Sequence, residues 1–232
     1  MTAGRRERLA DDAWLLHLGA DTPPIDDATN ACVHQVARSI REAAPDWLRD
    51  LVPAYASLAV FFDPDAVDAS TVARWLDAKL ADVSATSVDT PSRCIEIPVA
   101  YGGAFGEDLD ACASELGMSP DALIERHAAA TYTVAMIGFA PGFPYLSGLD
   151  PALALPRLAT PRTRVPAGSV AIGGAQTGLY PRESPGGWRL IGRTPIRMFD
   201  PKRTSPSLLS PGDCVRFVVI DTDKFAQLER EA

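Results

Sequence analysis

The most informative part of the sequence runs from residue 138 to residue 212 and opens with GFAPGFPYL at 138–146. Later in it come VPAGSV at 165–170 and SPGGW at 184–188. The stretch holds 11 of the 17 glycines and 12 of the 20 prolines of the chain. Because Gly and Pro set unusual backbone angles at turns, this composition predicts ordered loops, and loops held on a rigid scaffold often carry binding residues.

The same stretch is a cationic region in an acidic chain. It contains nine Lys and Arg residues against three carboxylates, whereas the whole chain has a net charge of −8. This distribution predicts an anionic small molecule or an acidic partner. The overall charge argues against nucleic acid, whose phosphates require a broad basic face.

The bulk properties favour a cytoplasmic protein of two domains. We expect no membrane association, because no apolar run approaches the roughly 20 residues of a span and no secretion signal is evident. The four cysteines lie far apart in the sequence. We therefore expect buried reduced thiols and no dedicated metal site.

Hydrophobic periodicity predicts an α+β domain over residues 10–100. The order of the predicted elements is strand, helix, strand, strand, helix, strand, which is typical of a ferredoxin-like domain with two helices on one face of an antiparallel sheet. The helix at 26–44 is predicted from apolar residues spaced three and four apart. The elements in chain order are at 13–18, 26–44, 47–52, 56–62, from 70 onward, and 93–100.

The rest of the chain divides into a helical connector and an all-β domain. Two short helices at 107–116 and 120–128 are predicted in the connector at 101–130, with Ser119 and Pro120 as a helix start. From residue 131 the pattern changes to short strands separated by turns, without a helical period up to residue 220. This pattern predicts a barrel or sandwich over 131–222, followed by one turn of helix.

Six motifs after residue 137 closely resemble one known family. It is the family that contains the B subunit of 5-oxoprolinase, the Kip inhibitor of a sporulation histidine kinase and subunit 1 of allophanate hydrolase. The module also looks like one half of the carboxyltransferase region of urea carboxylase. The motifs are GFAPGFPYL at 138–146, TPR at 160–162, VPAGSV at 165–170, QTGLYP at 176–181, SPGGW at 184–188 and IGRTP at 191–195.

This resemblance implies a ferredoxin-like domain followed by a cyclophilin-like β-barrel. It also implies the B subunit of an ATP-dependent 5-oxoprolinase, which acts with the A and C subunits to convert 5-oxo-L-proline to L-glutamate by phosphorylating the lactam for hydrolysis. ATP is therefore the expected cofactor, with Mg²⁺ arriving on the nucleotide, although the chain lacks a P-loop motif. The alternatives are an inhibitor of a sporulation-type histidine kinase and subunit 1 of an allophanate hydrolase or urea-carboxylase-type carboxyltransferase.

Three arginines in these motifs are candidates for binding anionic groups. Arg157, Arg162 and Arg193 each lie beside Pro or Thr, where the backbone is stiff. A guanidinium group can fork onto two oxygens of a phosphate or carboxylate. We expect two of the three to bind anions in one cleft, with Arg162 and Arg193 as catalytic candidates; the alternative is that they brace hairpins on the surface.

His127 is the candidate general acid or base. It lies at the end of the second connector helix, and histidine titrates near neutrality. The alternative is a structural cap on the last carbonyl groups of that helix. For His17 and His34 we expect structural roles in the first domain.

The motif loops supply the remaining candidates, which would bind substrate. Their glycines permit a close approach of the backbone, their aromatic rings can form the walls of a pocket, and their polar groups can bind an amide or carboxylate. The alternative is a set of rigid turns that fill the end of the barrel, with Trp188 as an anchor. Together with Arg157, these candidates are Phe139, Pro141, Gly142, Tyr145, Gln176, Tyr180, Gly186 and Gly187.

Overall fold

The chain divides into two compact units, residues 1–91 and residues 92–232. The computed structural model describes residues 5–19, 26–84 and 93–231, with only the backbone described at 82–84. Each unit has its own hydrophobic core.

The amino-terminal unit is a four-stranded antiparallel sheet with two helices. Its elements are β1 (Arg5–Ala10), β2 (Ala13–His17), α1 (Asp27–Ala43), β3 (Leu48–Pro53), β4 (Ser57–Phe62) and α2 (Ala69–Ser84). The strands lie in the order β1-β2-β4-β3.

The helix α1 confirms the prediction from apolar spacing. The Asp26 carboxylate caps its start by accepting hydrogen bonds from the backbone N–H groups of Ala28 and Thr29. It ends at Ala44, which has the left-handed conformation, just before Pro45. The predicted apolar face is buried against the sheet, with Val33, Val36, Ala37 and Ile40 in the core.

The prediction that residues 93–100 complete this sheet is wrong. That segment forms β5 (Cys94–Tyr101), which pairs with strands of the second unit. The place beside β2 is taken by β1, which the sequence analysis did not identify. The β1 sequence, RRERLA, is exposed along most of its length and has no apolar alternation, so periodicity gave no signal. The ferredoxin-like arrangement is therefore not confirmed.

The carboxyl-terminal unit is built around a closed barrel of seven strands. After β5 its elements are α3 (Leu109–Glu115), α4 (Pro120–Ala129), β6 (Thr131–Ile137), β7 (Pro144–Ser147), β8 (Arg162–Val165), β9 (Ser169–Ile172), β10 (Thr177–Leu179), β11 (Ser184–Gly186), β12 (Arg189–Arg193), β13 (Cys214–Val219) and α5 (Thr222–Glu231). The barrel order is β10-β7-β6-β13-β5-β12-β9, and β9 pairs with β10 to close it. Strands β8 and β11 form a separate two-stranded ribbon.

The predicted helices α3 and α4 pack on this barrel. The Ser119 hydroxyl accepts a hydrogen bond from the backbone N–H of Ala122 at the start of α4, and Pro120 is the first helical residue, as predicted. Leu109 and Leu123 are buried in the barrel core. The one helical turn predicted for the carboxyl end is instead the ten-residue helix α5.

Two of the four cysteines contradict the expectation of reduced thiols. Cys94 and Cys214 form a disulfide across the parallel strands β5 and β13, where they are register partners. The two residues are 120 positions apart in the chain, so their spacing did not suggest the pair. Cys32 and Cys112 are free.

We predict that Asn30 in α1 stabilises the amino-terminal unit. Its side chain is 2% exposed, and its amide nitrogen donates to the carbonyl oxygens of Ala54 and Tyr55, each at 3.2 Å. Asn30→Ala would leave these carbonyl groups without that donor and should lower the free energy of unfolding by about 1–3 kcal/mol in urea titrations. Glu42→Ala, an exposed substitution on the same helix, is the control and should change it by less than about 0.5 kcal/mol. Equal effects would contradict the assignment.

Candidate functional site

A small aromatic cleft lies at the loops that carry the sequence motifs. Its volume is about 90 Å³. Six of its residues are among the predicted substrate-binding set, and the other two are Phe143 and Trp188. The lining residues are Phe139, Phe143, Tyr145, Arg157, Tyr180, Gly186, Gly187 and Trp188. We refer to this site as the aromatic cleft.

The walls of the aromatic cleft are interlocked rings. The Phe143 ring lies at the centre of the cluster, with centroid distances of 4.9 Å to Tyr145, 5.1 Å to Tyr180 and 5.7 Å to Trp188. The contacts with Tyr180 and Trp188 are edge-to-face, the geometry that the charge distribution of aromatic rings prefers. Because each ring is fixed by its neighbours, the cleft has a defined shape.

Glycine is required at one position of this wall. A Cβ at Gly186 would overlap the Tyr180 hydroxyl, so any larger residue would displace that ring.

Burial raises the pKa of Tyr180, although a hydrogen bond from the backbone of Trp188 and the charges of Arg157 and Arg162 act in the opposite direction. The hydroxyl is therefore neutral at physiological pH.

Phe139 lies at the mouth of the cleft in an unusual conformation. Its φ is 65°, in the left-handed region that non-glycine residues rarely adopt, and its side chain is 61% exposed. The turn is closed by a hydrogen bond from the backbone N–H of Ala140 to the carbonyl of Gly138, at 2.7 Å, and by one from Gly138 to Phe143, at 3.1 Å. A strained backbone around an exposed ring is typical of functional loops.

Arg157 is the one predicted arginine that lines the cleft. Its guanidinium carbon lies 5.5 Å from the centroid of the Trp188 ring, and the residue is exposed. Among the described residues, no carboxylate lies within ion-pair distance of Arg157. The cleft therefore presents a positive charge against an aromatic wall.

Arg162 is held in a brace beside the cleft. Its Nε lies 2.8 Å from Glu107, and its Nη2 lies 2.7 Å from Asp108. The other Asp108 oxygen accepts a hydrogen bond from the backbone N–H of Leu190 at 2.7 Å. Burial lowers the pKa of Arg162, but the bonds and charges of the two carboxylates outweigh it and raise the pKa. The buried Nη1 has no hydrogen-bond partner within the described part of the chain.

Arg193 lies away from the cleft. Its Nε donates to the carbonyl oxygen of Ala167 at 2.8 Å, and its guanidinium lies 6.0 Å from the Phe225 ring centroid. The expected convergence of Arg157, Arg162 and Arg193 on one cleft is therefore not observed. Their catalytic and binding roles stay predictions.

Three further candidates do not line the cleft. Pro141 is exposed at the tip of its loop. Gly142 packs against Met198 and Phe199, with a φ of 80° that favours glycine. Gln176 is 7% exposed, and its carbonyl accepts from the backbone N–H of Gly173. Gly142 and Gln176 therefore contribute to the packing and hydrogen bonding of the loops near the cleft.

His127 lies in the barrel core and is fully buried. Its Nδ1 is 2.8 Å from the Tyr101 hydroxyl, and its Nε2 is 2.9 Å from Thr177 Oγ1. Since the Thr177 hydroxyl donates to the carbonyl of Ala171, its oxygen must accept from His127. The imidazole is thus the neutral tautomer with its proton on Nε2, and the Tyr101 hydroxyl donates to Nδ1.

This environment does not suit proton transfer at the cleft. Burial lowers the pKa of His127 to about 3, so the ring is neutral at physiological pH. The ring also stacks on Phe217 at a centroid distance of 4.7 Å. The geometry assigns His127 a structural position that links α4 to β10, and its proposed catalytic role has no support from this arrangement.

Sequence reasoning underestimated Phe143, Trp188 and Asp108. Phe143 and Trp188 lie within motifs that were recognised, but the pattern did not show which aromatic rings face a cleft. Asp108 carries no sequence signal beyond an acid at the start of a helix. Its partners on β8 and β12 are evident only in the fold.

The described residues contain no cluster of three or more side chains that could hold a metal ion. In the same residues, no helix has the length and apolar character needed to cross a bilayer.

Comparison with known proteins identifies the family. Residues 5–209 match the model of the carboxyltransferase domain, subdomain C and D, and the chain belongs to this family. A curated relative from Bacillus subtilis (strain 168), named as the B subunit of 5-oxoprolinase, is 39% identical over 236 residues, which cover 97% of each chain.

Two solved structures are similar to the chain in fold. The crystal structure of TTHA0988 has a TM-score of 0.77 and 39% identity over 90% of this chain, which spans only 40% of that larger chain. The urea amidolyase of K. lactis has a TM-score of 0.76 over 98% of this chain and 15% of its own. At 19% identity, that likeness shows the fold alone.

We predict that burial of neutral His127 makes stability depend on pH. The folded-state pKa is about 3, below the ordinary value of 6.5, so the unfolded chain binds a proton that the folded chain excludes. Stability should fall as pH drops from 6.5 toward 3, by about 1.4 kcal/mol per pH unit from this group. Urea unfolding of His127→Gln between pH 7 and pH 5 should lack this component.

The control for this prediction is His34→Gln, a half-buried histidine in the other unit. It should leave the pH dependence of the barrel unit unchanged. The same slope in wild type and His127→Gln would show that His127 is not the titrating group.

We predict that Arg162→Ala destabilises the barrel unit. The substitution leaves Asp108, which is 9% exposed, without its guanidinium partner. The expected loss is about 2–3 kcal/mol in the free energy of unfolding. Arg164→Ala, on the same strand, removes an exposed pair with Glu183 and should cost less than about 1 kcal/mol. Indistinguishable losses would contradict a stabilising brace.

Proposed function

We propose that this chain is the B-type subunit of an ATP-dependent 5-oxoprolinase that converts 5-oxo-L-proline to L-glutamate together with the A and C subunits. The B. subtilis relative of that name matches the chain over nearly its full length, which supports the proposal. Relatives from Escherichia coli O157:H7 and Haemophilus influenzae carry the same name. These names favour the oxoprolinase over the kinase-inhibitor and urea-carboxylase alternatives.

The observation that carries the proposal is the aromatic cleft with one uncompensated arginine. 5-Oxoproline is a small lactam ring with a carboxylate. In the proposed complex, the carboxylate binds the Arg157 guanidinium, and the ring lies against Tyr180 and Trp188. Gly186 and Gly187 present only backbone, so the ligand can approach closely.

The cleft is too small to be a complete active site. Its volume of about 90 Å³ is well below the roughly 300–1,000 Å³ of typical ligand sites. We propose that a partner subunit covers Phe139 and completes the site. The aromatic cleft does not fit ATP, since its volume leaves no room for a nucleotide. We propose that the nucleotide and its Mg²⁺ bind outside the aromatic cleft.

We infer that the barrel is of the cyclophilin-like type, supported by its closed seven-stranded sheet with α4 packed against it. For the first unit, we propose only that its two helices and its antiparallel sheet form two layers, as they do in a ferredoxin-like domain. A cytoplasmic location fits an enzyme that consumes ATP.

The proposal is tested by reconstitution with the A and C subunits, measuring glutamate formed from 5-oxoproline with and without ATP. Arg157→Gln should raise KM for 5-oxoproline at least tenfold, because a charged hydrogen bond contributes about 1.5–3 kcal/mol. Arg182→Gln, an exposed arginine of the same cationic stretch, is the matched control and should leave KM unchanged.

Two results would overturn the assignment. Absence of ATP-dependent glutamate formation in the complete mixture would refute the function. An unchanged KM for Arg157→Gln in an active mixture would refute the role of the cleft while leaving the function in place.

A further inference from the structure

A second cleft lies in the amino-terminal unit, between β1 and α2. Its volume is about 650 Å³, much larger than the aromatic cleft. Three of its residues are arginines. The lining residues are Arg6, Arg8, Trp14, Asp68, Ala69, Ser70, Ala73 and Arg74. We call it the arginine cleft.

The arginines of β1 form a row on one side of the strand. Arg6 and Arg8 are two positions apart, so their side chains project to the same face. Both guanidinium carbons lie 5.3 Å from the centroid of the Trp14 ring. The indole itself is anchored, since its Nε1 donates to the carbonyl of Ala69 at 3.1 Å. The row therefore has a fixed position beside the start of α2.

Two of these positive charges have no carboxylate partner among the described residues. Arg8 donates to the backbone carbonyls of Ala10, at 2.9 Å, and Asp11, at 2.6 Å. Arg74 donates to the Thr71 hydroxyl at 3.0 Å. Within the described part of the chain, Arg6 alone of the three is paired with a carboxylate, that of Asp77.

The arginine cleft lies in a unit whose net charge is negative. Residues 1–91 contain eight Lys and Arg residues against fifteen carboxylates. A row of positive charges on an otherwise negative unit attracts an acidic ligand, while the rest of the unit repels it.

The row borders an open strand edge. β1 is the end strand of its sheet, and within the described residues only β2 pairs with it. The backbone N–H and C=O groups on its outer edge can therefore form hydrogen bonds with another strand. A second copy of β1 in antiparallel pairing about Glu7 would set Arg6 against Arg8, and like charges directly opposite are destabilising. Self-pairing is thus disfavoured.

We propose that β1 and the arginine cleft bind an extended acidic segment of another protein as a fifth strand of this sheet. Carboxylates at alternate positions of that segment face Arg6 and Arg8, because strand side chains repeat every two residues. Arg74 on α2 contacts the same acidic face. This interaction goes beyond the proposed function of the aromatic cleft and does not depend on it.

The test uses the full-length chain and a fluorescein-labelled peptide of four Glu-Thr repeats, with binding followed by fluorescence anisotropy at low salt. Saturable binding is expected. Arg8→Glu should weaken it about fivefold or more. Arg49→Glu makes the same charge change on β3, at the opposite edge of the sheet, and should leave binding unchanged. If Arg8→Glu lowers the melting temperature, Arg74→Glu on the exposed face of α2 is the second variant, with the same expected loss.

Two further peptides separate strand addition from general charge attraction. One is N-methylated at every residue, so that neither of its edges can donate hydrogen bonds to a strand. The other has the same composition in the order of four Glu followed by four Thr. Both should bind at least fivefold more weakly than the alternating peptide.

Three results would overturn the proposal. They are the absence of saturable binding by the alternating peptide, equal binding of all three peptides, and binding of inorganic phosphate with an affinity equal to that of the alternating peptide. The last result would assign the arginine cleft to small anions.

Discussion

The carboxylate of Asp108 joins three parts of the barrel unit that are remote in sequence. One oxygen pairs with Arg162 on β8, and the other accepts the backbone N–H of Leu190. The Asp108 backbone N–H in turn donates to the Leu190 carbonyl at 2.9 Å. Because a buried carboxylate is costly unless it is paired and hydrogen-bonded, the loop before α3, the ribbon and the barrel must adopt one arrangement. The ribbon of β8 and β11 lies outside the barrel sheet and depends on such contacts for its position.

The shape of the aromatic cleft depends on this arrangement. Gly186 ends β11, and Gly187 and Trp188 follow it toward β12. A second support comes from the core, where His127 bonds to Thr177 on β10. The next residue, Gly178, packs closely against the rings of Trp188 and Phe143. The ion pair of Arg162 with Asp108 thus supports the ribbon side of the cleft, and the neutral His127 supports its barrel side.

Part of the candidate site was predictable from the motifs. Phe139, Tyr145 and Tyr180 come together because β7 pairs with β10: Tyr145 lies on β7, Phe139 precedes that strand, and Tyr180 follows β10. The role of each arginine was not predictable, since a guanidinium takes whichever acid the fold brings to it. Arg162 pairs with Glu107 and Asp108, more than 50 residues earlier, while Arg157 meets none among the described residues. The motif that contains an arginine does not encode these partners.

Features that depend on neighbouring residues could be predicted from the sequence. They include the buried face of α1, the start of α4 at Ser119 and Pro120, and the change to short strands after residue 131, which all follow from local spacing and turn chemistry. Tertiary contacts, in contrast, place β1 and not β5 in the first sheet and bring Cys94 to Cys214. They also make His127 a neutral core residue. These outcomes depend on contacts between distant segments, so the partner of β1, the disulfide and the neutral state of His127 could not be predicted from the residues next to them.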